Sequence, residues 1–219
     1  MILTELAKEL LFPRKCILCG KVLTMKETDL CHGCRSDEPE YEAENRTIPD
    51  IVAVTAVWYY EGAVRDSLLR FKFHHKPGYA EGYGRMLAMR VVREIHGIDL
   101  ITWVPVSARR KRERGYDQSE LLARTVSREL GIGTEPMLRK HRHNRAQSGI
   151  SDAAQRRENV RGVYHVTDER LVKGKRILLL DDIVTTGATA GECARMLLDA
   201  GARSVALATV AAGREKNLK

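Results

Sequence analysis

Long apolar runs are missing from this 219-residue chain, and none reaches the roughly 18 residues that a membrane-crossing helix needs, so no membrane span is expected. The opening MILTELAKELLF carries charges at Glu5, Lys8 and Glu9, and no small-residue cleavage site follows, which argues against a secretory signal. Its Leu3, Leu6 and Leu10 have the spacing of a short amphipathic helix packed on its own protein. Internal repeats and low-complexity tracts are also absent. Aromatic residues are scarce at 5%, so any base-stacking surface has few side chains to draw on. Acidic residues are in deficit: 29 against 37 basic ones, a net charge of +8. That balance favours polyanionic partners, whether phosphorylated metabolites, nucleic acid or an acidic surface. The excess is clustered. Arg109, Arg110, Lys111, Arg112 and Arg114 form one group; Arg139, Lys140, Arg142 and Arg145 form a second. A charge run is often only a solvated face, and that reading applies to both groups.

Cysteine is rare too, but four of the five fall in a pattern. Cys16-x-x-Cys19 and Cys31-x-x-Cys34 are two knuckles that complete a tetrahedron of soft thiolates around one ion. Four sulfurs leave no open coordination position, so structural zinc is expected. Gly20 and Gly33 supply permissive backbone at the knuckles. Two disulfides in an exported protein, or an iron–sulfur cluster, are the alternatives. The unpaired Cys193 lies in an apolar helical stretch and reads as a small core residue. The cysteine module and leading helix span about residues 1–40, the acidic stretch SDEPEYEAENRTIPD reads as a linker, and a second domain runs from about 50 to 219.

From Ile51 the texture changes. IVAVTAVWYY, Leu100–Val106, Gly162–Val166, Lys175–Leu180 and Ser204–Val210 read as strands. Residues 63–73, Tyr79–His96, Asp117–Leu130 and Ala188–Asp199 read as helices, the third opened by a capping-box variant of Asp117 and Glu120. Strands alternating with helices predict an α/β fold with a mostly parallel central sheet flanked by helices.

The most informative segment is RILLLDDIVTTGAT, residues 176–189. A buried strand runs into Asp181 and Asp182, then into a loop of Thr185, Thr186, Gly187, Ala188 and Thr189 that opens a helix. Ligands bind at the carboxyl ends of strands in open α/β sheets. Backbone N–H groups and hydroxyls beside a helix N-terminus suit a terminal phosphate. Two adjacent carboxylates can accept hydrogen bonds from vicinal hydroxyls, as on a ribose. No P-loop lysine is present, so a nucleoside triphosphatase fits poorly.

This segment resembles the phosphoribosyl pyrophosphate (PRPP) motif of type I phosphoribosyltransferases. Trp103–Gln118, Gln147–Gly162, and Tyr60-Glu-Gly-Ala followed by Phe71-Lys72-Phe73 resemble the signatures of the ComF-type competence family, as does an N-terminal four-cysteine module. Some relatives carry extra cysteine pairs, so this zinc module is a reduced form by comparison. The resemblance implies a type I phosphoribosyltransferase fold. It places the ribose hydroxyls on Asp181 and Asp182 and the 5′-phosphate on Thr185, Thr186, Gly187, Ala188 and Thr189. It places pyrophosphate on the amides of Ser107 and Ala108 with Arg109 and Lys72, and magnesium on the donor's oxygens. A hood over the site is implied at 139–159, with Arg139, Arg142, Gln147, Arg156 and Asn159 reaching for ligand or nucleic acid alongside Arg110, Lys111, Arg112 and Arg114. The implied role is PRPP binding in a cytoplasmic protein that handles internalised single-stranded DNA beside membrane-associated uptake helicase or channel proteins. Transfer to an unidentified nucleobase or amine is the alternative, and no segment reads as a base-recognition element. Trp58, Tyr59, Tyr60, Trp103 and Tyr116 are the aromatics nearest the basic stretches, with core packing the favoured reading of the two tryptophans.

Overall fold

The computed structural model describes residues 13–38, 40–42, 46–141 and 159–214. The expected leading helix, and Arg142, Gln147 and Arg156 of the expected hood, lie outside the described residues. A short helix α1 (His32–Asp37) closes the cysteine module. Then follow β1 (Ala53–Tyr59), α2 (Gly62–Phe73), α3 (Tyr79–Glu94), β2 (Leu100–Trp103), α4 (Ala108–Arg114) and α5 (Gln118–Leu130). The chain continues through β3 (Leu138–Lys140), β4 (Tyr164–Val166), α6 (Glu169–Val172), β5 (Arg176–Val184), α7 (Ala188–Asp199) and β6 (Ser204–Ala212).

Four strands form a parallel sheet in the order β1-β6-β5-β2, and β3 pairs antiparallel with β4 beside it. β5 shows why its apolar run is continuous: it is covered on both faces. Leu178 and Leu180 join the core under α2, α3 and α5, while Ile177 and Leu179 join the core under α7 and the β3–β4 pair. The strand does not stop at Leu180 as its sequence suggests. It runs on through both acids to Val184, paired with β6 as far as Ala212. Hydrogen bonding to β6 overrides the low strand preference of aspartate here.

Two elements depart from their sequence reading. The basic run after Ser107 is a helix, α4, because Ser107 caps it through Arg110 N–H and Gly115 ends it at φ 81°. The acidic stretch read as a linker is packed: Tyr41 is buried edge-on against Tyr59, and Ile48 is buried beside α7. Asp117 does cap α5, accepting from Ser119 and Glu120 N–H, but the Glu120 carboxylate is taken by Lys111 and Arg124 and not returned to the cap.

The cysteine module shares the first core. Ile17, Leu18, Leu23 and Leu30 pack with Leu68, Phe71 and Tyr83. Polar bonds fasten it: Ser67 to the Ile17 carbonyl, Arg70 to the Leu18 carbonyl, and a two-armed Arg85–Asp29 pair. Trp58 and Trp103 are buried as expected, and so is Cys193.

Helices α3 and α5 meet at Gly84, where an added Cβ would lie 2.5 Å from the Thr125 side chain. Gly84→Ala is therefore expected to cost about 2 kcal/mol by overpacking. Denaturant unfolding should show it as a lower midpoint, with Gly78→Ala, which meets nothing within 4 Å, as the unaffected control.

Candidate functional site

The metal centre comes first in the chain. The sulfurs of Cys16, Cys19, Cys31 and Cys34 all lie within 4.8 Å of one another, and none is in a disulfide. Zinc with Zn–S bonds of ~2.3 Å sets its ligand sulfurs roughly 3.8 Å apart, and Cys19 and Cys31 are 3.6 Å apart. The donor set fits the ion. Burial raises the Cys16 thiol, but N–H groups of Cys19, Cys31 and Leu18 outweigh it and bring the thiol down to about 7. Burial and the neighbouring thiols push Cys34 up. Four such sulfurs cannot all ionise in one small volume unless a cation lies among them. Gly20 turns the first knuckle at φ 79°, whereas Gly33 is an ordinary helical residue of α1, so its backbone freedom is not used.

The second site is a cavity at the carboxyl ends of the parallel strands, the position where open α/β sheets bind ligands. Its floor is Asp181 and Asp182. Asp182 is paired with Lys72 Nζ at 2.9 Å. Asp181 accepts from Ser119 Oγ at 3.0 Å and from Asp182 N–H at 2.8 Å. Burial and the Asp182 charge raise the Asp181 carboxyl to about 7. One wall is Thr185 to Ala190, all lining the cavity. Gly187 is the N-cap of α7 in the left-handed region at φ 76°, with no side chain of its own to cap the helix. Thr186 Oγ accepts from Ala188 N–H at 3.4 Å, and the positive end of the α7 dipole faces the cavity, an environment that favours an anion.

Cations make the opposite wall. Arg110 and Arg114 stand one turn apart on α4 and both line the cavity, Arg114 bonded to Gln118 and stacked over Phe73. Lys140, from β3, lies over the Tyr164 ring, with its ammonium 5.3 Å from the ring centre. Burial, with repulsion from Arg110, lowers the Lys140 ammonium to about 8.

These positions sort the sequence-derived residues. Asp181, Asp182, Thr185, Thr186, Gly187, Ala188, Thr189 and Lys72 converge on one cavity, joined by Arg110 and Arg114. Ser107 and Ala108 stand just outside it as the cap and first residue of α4. Arg109 points away and is paired with Glu113. Lys111 is held by Glu120, and Arg112 is exposed. Arg139 is exposed on β3 and lines a second cleft, apart from the cavity. Asn159 is half-buried and does not line the cavity. Lys140, Ser119 and Tyr164 were missed as site residues. Helical spacing from Arg110 to Arg114 was the one available signal for that pair.

Two family models match the chain: a phosphoribosyl transferase domain over residues 116–219 and a double zinc ribbon domain over residues 7–44. Competence protein F of Haemophilus influenzae is 26% identical over 218 residues, covering 89% of this chain and 95% of the relative. Competence protein ComFC of Bacillus subtilis is 25% identical over 85% of this chain and 72% of its own length. The chain thus carries a phosphoribosyl transferase domain and is similar along most of its length to ComF-type competence proteins. DNA utilization protein YhgH of Escherichia coli O157:H7 is 32% identical, though the match spans only 61% of that protein. Among solved structures, the glutamine PRPP amidotransferase of B. subtilis aligns with TM-score 0.42 and 28% identity over 61% of this chain and 26% of that one. With five cysteines in all, this ComF-type ribbon has sulfurs for one four-cysteine centre, not two. No helix among the described residues is long and apolar enough to cross a membrane.

Two outcomes follow from this geometry. Because Ile17, Leu18 and Leu30 belong to the shared core, stripping zinc with a chelator should lower the melting temperature of the whole protein by more than about 5 °C. Calorimetry should show one transition and no separate low-temperature step. The second concerns pH. The folded chain holds the Asp181 proton to about pH 7, the unfolded chain only to roughly pH 4, so stability falls as pH rises between those values. Asp181→Asn removes that loss, and its stability relative to wild type should climb through the interval. A melting difference that stayed flat with pH would mean that Asp181 is ionised throughout.

Proposed function

We propose that this protein binds PRPP with magnesium in the cavity at the ends of β5 and β6, and that it serves competence by handling internalised single-stranded DNA in the cytoplasm. The observation that carries the reading is a single cavity lined together by the threonine loop at the α7 N-terminus, a pair of carboxylates and the cations Lys72, Arg110 and Arg114. The α7 N-terminus and its threonine loop suit the 5′-phosphate. Lys72, Arg110 and Arg114 suit a pyrophosphate on the far side. Asp181 and Asp182 lie between, where the ribose hydroxyls of such a donor would come. Magnesium bound with the donor would neutralise part of its charge. When the C1–O bond to pyrophosphate breaks, charge builds on the leaving group, and cations fixed at that end would stabilise it.

The competence assignment is supported by the relatives named for competence and DNA utilization. The exposed basic residues Arg112 on α4 and Arg139 on β3 are candidates to meet nucleic-acid phosphates. Membrane-associated uptake helicase or channel proteins would be the neighbours of such a role. Transfer of the phosphoribosyl group to a nucleobase or amine is the second reading, favoured by the fixed cations at the pyrophosphate end.

Calorimetric titration with PRPP and magnesium tests the first step. Saturable binding is expected for wild type, with a loss of about 100-fold or more in Asp181→Ala/Asp182→Ala, since two buried acceptors go at once. Pyrophosphate release on adding candidate acceptors would favour transfer. Single-strand binding that weakens steeply with salt would favour DNA handling. A folded, zinc-loaded wild type that ignores PRPP would remove the donor from the account.

A further inference from the structure

The segment between the cysteine module and β1 does more than connect them. Arg46 reaches across to the cavity's phosphate loop from behind. One arm of its guanidinium donates to the Thr185 carbonyl at 2.6 Å, and the other donates to the Gly213 carbonyl. These two carbonyls sit where β5 and β6 part company. Among the described residues, the last backbone link between the strands is Gly213 N–H to the Val184 carbonyl at 2.7 Å. Arg46 bridges the fork. Two residues on, buried Ile48 packs under the same loop. A Cβ on Gly187 would lie 2.7 Å from the Ile48 side chain, and one on Gly191 would lie 3.4 Å from it. Glycine at 187 thus serves two needs, the left-handed backbone and the close approach of Ile48.

The planar trans peptide gives the Arg46 contact a directional consequence. The C=O of Thr185 and the N–H of Thr186 lie in one peptide plane and point in opposite directions. Pinning the oxygen toward Arg46 turns the Thr186 N–H the other way. A loop of small residues over a glycine has many competing conformations, and fixing it against them is an entropic cost that would otherwise fall on ligand binding. A lysine has one ammonium and cannot offer the same planar fork to two fixed carbonyls.

We propose that Arg46 is the positioning residue of the phosphate loop: acting through the Thr185 and Gly213 carbonyls, with Ile48 as the floor, it holds the loop's N–H groups in place for a terminal phosphate that it does not itself touch. The proposal deepens the reading of the cavity as a PRPP site and, for its ligand arm, rests on it. It also states a selectivity. Arg46 bears on the 5′-phosphate end of the cavity only, because the pyrophosphate end is built from α2 and α4.

The test compares wild type, Arg46→Met and Arg46→Lys, each checked for zinc content and native circular dichroism. Hydrogen exchange without ligand is the first arm. Amides of the peptide spanning 183–191 should exchange about tenfold faster or more in Arg46→Met, while those of α2 and β1 keep their wild-type rates, because the lost bonds are local. Arg46→Lys should fall between the two. The second arm titrates ribose 5-phosphate and, separately, magnesium pyrophosphate. Arg46→Met should weaken ribose 5-phosphate about tenfold or more and leave pyrophosphate within about twofold. Unchanged loop exchange, or equal loss of both probes, overturns the proposal. If wild type binds neither probe, the PRPP reading falls, and Arg46 is judged on exchange alone.

Discussion

Two carboxylates side by side at the end of a strand buried on both faces impose the constraint from which the rest of the site follows. Side chains alternate across a strand, so Asp181 and Asp182 project to opposite faces of it. Each is met from its own side. Asp182 lies on the face of Leu178 and Leu180, where α2 brings Lys72 to it. Asp181 lies on the face of Ile177 and Leu179, where β3 brings Lys140 close enough for the two charges to be felt. Ser119, at the start of α5, reaches over the strand end to Asp181. The β3–β4 pair and α2 thus each bring a cation to the carboxylates, and both contribute to the lining of the cavity.

The zinc ribbon is tied into the same arrangement. A module this small has too little apolar surface to order itself, and a metal centre is the usual remedy. Here the centre orders the knuckles, and the knuckles then lend Ile17, Leu18 and Leu30 to the core that covers the sheet. Ser67 and Arg70 of α2 bond the Ile17 and Leu18 carbonyls, and Lys72 lies two residues further along that helix. The rotation of α2 that satisfies the ribbon is also the rotation that presents Lys72 to Asp182. Beyond the ribbon, Arg90 bonds the Tyr41 and Ala56 carbonyls and fixes the chain's return to the sheet ahead of Arg46.

Much of this was legible in the sequence, for identifiable reasons. The continuous run of β5 can only be a strand buried on both faces, and the doubled cysteine spacing admits few chemistries. The phosphate loop was legible because a strand, two acids and small hydroxylated residues occur together in local order. Three things were hidden. The strand beyond Leu180 depends on pairing with β6, a long-range contact with no local signal. Lys140 resembles its basic neighbours in the sequence, and only the turn of β3 separates it from exposed Arg139. Arg46 and Ile48 stand among acidic, polar residues that read as a linker, because their partners lie more than a hundred positions away. What composition alone concealed was therefore set by tertiary contact, not by propensity.

The overall charge of +8 is a poor guide to where an anion would bind. Many of the cations that produce it are already engaged at the surface: Arg109 with Glu113, Lys111 and Arg124 with Glu120, Arg170 with Asp168, Arg176 with Asp99, Arg195 with Glu192 and Asp199. Such exposed pairs are worth little individually and present almost no field at a distance. The cavity is different. Lys72, Arg110, Arg114 and Lys140 surround only Asp181 and Asp182, with the α7 terminus adding partial positive charge. Cations there sit against low-dielectric walls and are screened far less than their surface counterparts. Burial already lowers the Arg114 and Lys140 cations from their ordinary values, a cost that an incoming polyanion would relieve. The electrostatic argument for a phosphorylated ligand therefore rests on this local imbalance and would stand unchanged if the net charge of the chain were zero.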